Sequence, residues 1–193
     1  MVTLSDHDLQ SGLGEMSHYF VVSSEEDFKQ YKHNYKTALT DKSVIKNMIA
    51  RSLAVKKSYI EIDEFDQNKR QVFNYGHSFG HAIESLTDYA VPHGIAVSFG
   101  MDMANFISMK MGLLNPKIRE DIRELLQQIW EGYDIRNLDV PQFSSALAKD
   151  KKNVGQELRL ILCKGYGKVF KATVKNDDQL HNWLTEYFNK ELN

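Results

Sequence analysis

The chain has 193 residues and a net charge of −2, and it is 42% hydrophobic and 26% charged, as is ordinary for a globular protein. The near-neutral charge gives no electrostatic reason to expect a nucleic-acid partner or an anionic membrane surface. Cys163 is the single cysteine, which excludes an intrachain disulfide and a cysteine-based zinc site and predicts a reducing compartment, the cytoplasm. No stretch approaches the roughly 18 apolar residues of a membrane helix.

Helical periodicity dominates the chain. Ser23 and Glu26 form a capping-box pattern ahead of a polar helix through the 30s, and a second apolar stripe follows Asp41. After a loop at 67–68, the pattern predicts helices over about 70–85, 94–111 and 118–129, and a last helix from about 177. We therefore expect one mainly helical domain spanning 1–193.

The strand signals come late in the chain. Leu158, Leu160 and Leu162 alternate with their neighbours, and a second short run follows at 169–174. Glycines at 165 and 167 suit a turn between the two runs. The sequence therefore predicts a small β-hairpin attached to the helical domain.

The stretch NYGHSFGHAIE, at 74–84, carries the clearest chemistry. His77 and His81 are four residues apart, so a helix places them on one face, and Glu84 falls on that face as well. With His93 at a predicted helix start, these side chains suit a divalent metal site with an open position. Taken alone, a helical histidine pair is more often a surface or hydrogen-bonded pair, and this one lacks the metalloprotease His-Glu-x-x-His pattern.

Gly76 and Gly80 each precede one of these histidines. A glycine inside a helix costs roughly 1 kcal/mol relative to alanine. Two of them in one short helix predict that another backbone or a cofactor approaches closely.

The run from Arg70 to Glu84, followed by His93-Gly94-x-Ala96-Val97 and Gly100-Met101, closely resembles the metal-binding core of 3-dehydroquinate synthase and, more broadly, of the sugar phosphate cyclases. The resemblance extends over nearly the whole chain, through Ser11-Gly12-Leu13-Gly14-Glu15, Lys56, Asp63-Glu64 and Asp150-Lys151-Lys152. It implies the helical C-terminal domain of that family. The family's N-terminal NAD-binding domain has no counterpart here, because no glycine-rich fingerprint follows a strand.

The resemblance assigns roles residue by residue. It implies zinc, with cobalt or iron as other candidates, bound by Glu15, His77 and His93, a set that leaves an open position. It places His81 near a substrate phosphate, and Lys56, Arg70 and Asn74 on substrate carboxylate, phosphate or hydroxyl groups. One of Lys151 and Lys152 matches another substrate-binding lysine, and Lys152 is included in the catalytic set with Lys56, Arg70, Asn74 and His81. Without the resemblance, the lysine pair would be interpreted as a solvated charge pair.

The implied reaction converts a seven-carbon sugar acid phosphate into a cyclic ketone with loss of phosphate, as in the shikimate route to aromatic amino acids. NAD would come from the N-terminal domain, so the chain alone is expected to be inactive. The chain is expected to act as a homodimer or as the partner of an NAD-binding domain.

Three positions depart from the family pattern: His18 replaces a lysine, Ile95 a glutamate and Asp66 a glutamate. His18 removes a permanent charge near the substrate, and Ile95 removes an expected partner of the metal site. Asn74 argues against the inosose-forming branch of the cyclases, and His81 against the valiolone-forming branch.

Two alternatives remain open. A metal-dependent alcohol or polyol dehydrogenase shares a similar histidine pattern, and Ile95 would suit it. A non-catalytic helical remnant that pairs with another chain would fit the missing domain, although such a remnant should have lost at least one of the costly polar groups.

Overall fold

The computed structural model of the chain describes residues 4–149 and 157–192. Within that part the fold is mainly helical with one antiparallel hairpin, which confirms the predicted class. The elements in chain order are α1 (Asp6–Ser23), α2 (Glu25–Ala38), α3 (Lys42–Ile62), a 3₁₀ turn (Lys69–Asn74), α4 (His77–Leu86), α5 (His93–Lys110), α6 (Pro116–Ile129), α7 (Val140–Ala148), β1 (Glu157–Cys163), β2 (Val169–Lys175), α8 (Asp178–Glu186) and a closing π turn (Tyr187–Glu191).

Polar caps define most helix starts. The Ser5 hydroxyl accepts the Asp8 amide hydrogen at the start of α1, and Asn115 caps α6, whose first residue is Pro116. The predicted capping box at Ser23 and Glu26 is wrong by one residue. Ser23 is the last residue of α1, and Ser24 caps α2 by accepting the amide hydrogen of Asp27.

The predicted continuous helix over 70–85 is also wrong. The chain forms a 3₁₀ turn, passes through an extended Tyr75 and reaches Gly76 with φ of 83° before α4 begins at His77. Glycine suits position 76 for two reasons: it tolerates the left-handed region, and a Cβ atom there would lie 2.5 Å from the Val97 carbonyl oxygen. His77 and His81 nevertheless share one helix, as predicted.

Helix α5 is the centre of the fold, since residues 94–108 are all buried. Helices α1, α4 and α6 and strand β1 pack around it. A Cβ atom on Gly94 would lie 1.7 Å from the Ser11 carbonyl oxygen, and one on Gly100 would lie 2.0 Å from the Gly76 carbonyl oxygen. The predicted close approach is therefore backbone against backbone, of α1 and α4 against α5.

The hairpin packs against α5 through strand β1. Leu158 pairs with Val174, Leu160 with Ala172 and Leu162 with Phe170, and 164–168 form the turn. The Cys163 amide donates to the Ser108 hydroxyl of α5 at 3.2 Å. Helices α1 and α7 were not predicted. Glycines interrupt the apolar periodicity of α1, and α7 is too short to show a clear periodicity.

Candidate metal centre and substrate cavity

Three helices bring Glu15, His77 and His93 together. Glu15 lies on α1, His77 begins α4 and His93 begins α5. His77 Nε2 is 3.5 Å from Glu15 Oε1, and His93 Nε2 is 3.4 Å from Glu15 Oε2. The Ser11 hydroxyl accepts the Gly94 amide hydrogen at 3.0 Å, which fixes the start of α5 against α1. Glu15, which is 62 positions before His77 and 78 before His93, thus meets both histidines because of the glycine-mediated helix contacts.

Each imidazole is held through its other nitrogen. His77 Nδ1 is 3.2 Å from the Tyr75 carbonyl oxygen, and His93 Nδ1 is 3.1 Å from Glu84 Oε1. Because both partners are acceptors, each Nδ1 carries a hydrogen, and the Nε2 atom of each ring faces Glu15. A proton or a metal ion shared with the carboxylate would therefore lie at the Nε2 atoms.

The electrostatics agree with that arrangement. The Glu15 carboxylate, with Glu84 behind it, raises the pKa of His93 to about 9. Burial acts to raise the pKa of Glu15, but His77 and His93 outweigh it and hold this pKa well below its usual range. The cluster therefore keeps a carboxylate charged and attracts positive charge to its centre.

The three residues fit a divalent transition metal. A tetrahedral zinc ion with bonds of roughly 2.0–2.1 Å separates its ligand atoms by about 3.3 Å, close to the distances seen here. Typical N–H···O hydrogen bonds are shorter, about 2.9 Å. Glu15 Oε2 is buried without a hydrogen-bond partner among the described residues, as expected of an atom that would bind a metal ion.

His18 lies directly behind Glu15. Its side chain is 1% exposed, its Nδ1 is 3.8 Å from Glu15 Oε1, and its ring contacts those of Tyr19, Phe73 and His77. Burial lowers the pKa of His18 to about 4, so this side chain is neutral at physiological pH. The position that carries a lysine in the family pattern thus adds no permanent charge here.

Ile95 is fully buried in the core, on the side of α5 away from solvent. The acceptor for His93 is Glu84 on α4. The sequence grouped Glu84 with the histidines as a possible metal ligand, but it could not predict the hydrogen bond to His93, because that contact depends on the packing of α4 on α5.

His81 follows His77 by one turn and is exposed. Its ring centroid lies 5.7 Å from that of His77 and 5.8 Å from that of His93. It opens onto a cavity of about 590 Å³ between α4 and α7, whose polar lining residues are Ser78, His81, Ser85, Gln142, Ser145 and Lys149. The predicted phosphate-side histidine therefore stands between the candidate metal centre and a cavity.

The other predicted substrate residues lie around the centre. Arg70 donates to the Glu64 carbonyl oxygen at 2.7 Å. Its positive charge acts to lower the pKa of Tyr19, the residue after His18. Lys56 is exposed on α3, and its charge contributes to lowering the pKa of His18. The charges of Arg70 and Lys56 thus act on Tyr19 and His18, which lie on the same helix as Glu15.

Asn74 donates to the Gln71 carbonyl oxygen at 3.2 Å. It lines a second cavity, of about 140 Å³, with Asp66 and two cations that the sequence analysis missed, Arg159 and Lys171. Both cations lie on the outward face of the hairpin. The alternation in the sequence predicts that face, but it does not predict that the face lines a cavity with Asn74. The predicted lysines 151 and 152 lie outside the described residues.

Comparison with solved structures places the fold among the sugar phosphate cyclases. A crystal structure of 2-deoxy-scyllo-inosose synthase complexed with carbaglucose-6-phosphate, NAD⁺ and Co²⁺ superposes with a TM-score of 0.82 at 22% identity, covering 98% of this chain and 54% of that one. The 2-epi-5-epi-valiolone synthase of Streptomyces hygroscopicus, with NAD⁺ and Zn²⁺ bound, gives a TM-score of 0.80 at 17% identity, covering 98% and 53%.

The sequence comparisons narrow the family. The family model described as 3-dehydroquinate synthase C-terminal matches residues 12–153, and the chain belongs to that family. It is 36% identical to the 3-dehydroquinate synthase of Geotalea uraniireducens over 180 residues, 92% of this chain and 50% of the relative. It is 35% identical to that of Dictyoglomus turgidum over 170 residues, 86% and 47%. The chain thus spans about half the length of these curated relatives.

Among the described residues, none of the helices is long and apolar enough to cross a membrane.

Proposed function

We propose that this chain supplies the metal- and substrate-binding half of a 3-dehydroquinate-synthase-type cyclase and works beside an NAD-binding domain. The observation that carries the proposal is the convergence of Glu15, His77 and His93, with both Nε2 atoms facing one carboxylate, in a chain of this family. The proposed substrate is a seven-carbon sugar acid phosphate, and the proposed product is a cyclic ketone formed with loss of phosphate.

Glu15, His77 and His93 would hold zinc, or cobalt or iron in its place. The ion held by these residues would supply Lewis-acid polarisation of a substrate hydroxyl, and NAD from the partner domain would supply the hydride chemistry. The open side of the cluster faces His81, so a substrate bound by its hydroxyl there would reach the larger cavity.

This chain's own residues would orient the substrate around that point. Arg70 and Lys56 supply the positive charge that a carboxylate requires, and a guanidinium matches the planar carboxylate through paired donors. Asn74 can bond a hydroxyl or phosphate oxygen, and Lys151 and Lys152 are proposed to neutralise the phosphate. His81, at the cavity mouth, can donate a hydrogen bond to the leaving phosphate oxygen.

Two features favour this function over a dehydrogenase. The family match is to the synthase, and the cations Lys56, Arg70, Arg159 and Lys171 suit a doubly anionic substrate better than an uncharged polyol. A non-catalytic remnant is disfavoured because Glu15 and His77 are only 32% and 14% exposed and keep their polar groups despite the cost of desolvation.

The test is reconstitution. The chain is fused to the NAD-binding half of the Geotalea uraniireducens synthase, and release of inorganic phosphate from the seven-carbon sugar acid phosphate is measured with NAD and zinc. Phosphate release by the fusion, absent from the chain alone and from a His77→Ala fusion, is expected. Reduction of NAD by simple alcohols without phosphate release would establish the dehydrogenase instead. A folded, zinc-loaded fusion with neither activity would overturn the catalytic proposal.

A further inference from the structure

Glu84 is a buried carboxylate with a defined place in the structure. It lies on α4, seven residues after His77, so two helical turns place it on the same face. The residue is 8% exposed, and its Oε1 lies 3.1 Å from His93 Nδ1. Among the described residues, no lysine or arginine pairs with it, so its charge is directed at the imidazole.

The contact determines which nitrogen of His93 is available. A carboxylate accepts the Nδ1 hydrogen, which leaves the Nε2 lone pair on the opposite edge of the ring, 3.4 Å from Glu15 Oε2. Without Glu84 the exposed ring can adopt the other tautomer or rotate, because the side chain of His93 is 43% exposed.

The same contact separates two possible metal clusters that share His93. Glu15, His77 and His93 form one, and His81, Glu84 and His93 form the other. In the observed arrangement Nδ1 of His93 carries the hydrogen that Glu84 accepts, so this nitrogen is not available as a ligand atom of the second cluster. The remaining lone pair of His93 belongs to the first cluster.

We infer that Glu84 is a positioning residue for the metal centre: it fixes the tautomer and orientation of His93. The inference rests on the proposed metal centre and adds to it a residue that is not a ligand. Carboxylates behind ligating imidazoles contribute roughly 10–100-fold to metal affinity in other sites.

The experiment measures the zinc dissociation constant of the full chain by competition with a chromophoric chelator. The variants are Glu84→Ala, Glu84→Gln and the charge-matched control Asp88→Asn, which removes an exposed carboxylate one turn later. Glu84→Ala should weaken zinc binding by roughly 10–100-fold. Glu84→Gln should fall between it and the wild type, because an amide oxygen still accepts the Nδ1 hydrogen. Asp88→Asn should match the wild type.

Two further readouts separate positioning from folding. Unfolding curves in excess chelator show whether each variant keeps its apo stability, and the near-isosteric Glu84→Gln keeps the test valid if Glu84→Ala does not fold. Long-range ¹H–¹⁵N spectra of the zinc-loaded chain should show a single Nδ1–H tautomer of His93 in the wild type. Partial loss of that signature is expected in Glu84→Ala.

Each possible result of the zinc-binding experiment leads to a different conclusion. If the wild type binds no zinc, the metal centre itself is wrong, and the inference falls with it. If the wild type binds one zinc and Glu84→Ala binds equally tightly, only the positioning role is overturned. If the wild type binds two zinc ions and Glu84→Ala loses one of them, Glu84 is a ligand of the second cluster, which also overturns the inference.

Discussion

Helix α5 carries two polar clusters, one partly exposed and one buried, that differ in how their charges are balanced. At its start, His93 meets Glu15, His77 and Glu84; nine residues further on, Asp102 meets Arg119, Arg123 and the hydroxyl of Tyr187. We name them the histidine cluster (Glu15, His77, Glu84, His93) and the arginine cluster (Asp102, Arg119, Arg123, Tyr187, Glu191).

The charges of the arginine cluster are balanced by its own side chains, although Asp102 Oδ1 and Arg119 Nε are buried without a hydrogen-bond partner among the described residues. Two guanidinium groups face two carboxylates, since Arg119 also pairs with Glu191 at 2.8 Å, and Asp102 Oδ2 accepts from Tyr187 at 2.9 Å. Burial raises the pKa of Asp102, although Arg119 and Arg123 oppose the shift. The cluster joins α5, α6 and the C-terminal turn, and nothing in its charge calls for a ligand.

In the histidine cluster the charges are not balanced in this way. It contains two carboxylates, and within residues 4–149 and 157–192 neither is paired with a lysine or arginine. Its distances of 3.4–3.5 Å are too long for strong hydrogen bonds and suit a shared ion. Burial and polarity alone therefore do not indicate a functional site. A polar cluster indicates a ligand-binding site when neighbouring side chains do not balance its charge.

The largest expected effect comes from breaking the arginine cluster. Asp102→Ala leaves two guanidinium groups buried without their shared carboxylate, and should lower the free energy of unfolding by about 3–5 kcal/mol. The measurement is urea denaturation in chelator. Asp134→Ala, which breaks an exposed pair with Arg136, is the control and should cost less than about 1 kcal/mol. Equal small losses in both variants would contradict the structural role of the cluster.

The histidine cluster should instead respond to metal. Zinc at 100 times its dissociation constant should raise the free energy of unfolding by about 2.7 kcal/mol, because only the folded chain assembles the site. Magnesium, which prefers oxygen ligands in octahedral geometry, should give no shift at the same concentration. The zinc effect should persist in Asp134→Ala and vanish in His77→Ala. A zinc effect of equal size in His77→Ala would place the site elsewhere.

The smallest effect tests how helix spacing sets the histidine cluster. Gly94→Ala forces a Cβ atom against the Ser11 carbonyl oxygen and should cost about 1–3 kcal/mol while pushing His93 away from Glu15. Gly12→Ala on the facing helix meets no atom within 4 Å and should stabilise the chain by roughly 0.5–1 kcal/mol. Zinc affinity should fall in the first variant only. Unchanged affinity in Gly94→Ala would mean that the α1–α5 contact does not set the site.

The sequence could predict the helical class, the hairpin and the shared face of His77 and His81, because these depend on local periodicity. It could not predict the break at Gly76, which the packing of α4 on α5 imposes. The grouping of Glu15 with His77 and His93 rested on family resemblance, since residues on three helices leave no local pattern. The contact of Glu84 with His93, and the place of Arg159 beside Asn74, needed the tertiary structure for the same reason.

The most direct test of the account is the metal content of the purified chain. Elemental analysis is made on the wild type, His77→Ala and His33→Ala, where His33 is an exposed histidine on α2 that lies outside the cluster. The account predicts close to one zinc, cobalt or iron per chain in the wild type and His33→Ala, and a large loss in His77→Ala. No bound metal in zinc-supplemented wild type, or full retention in His77→Ala, would contradict it.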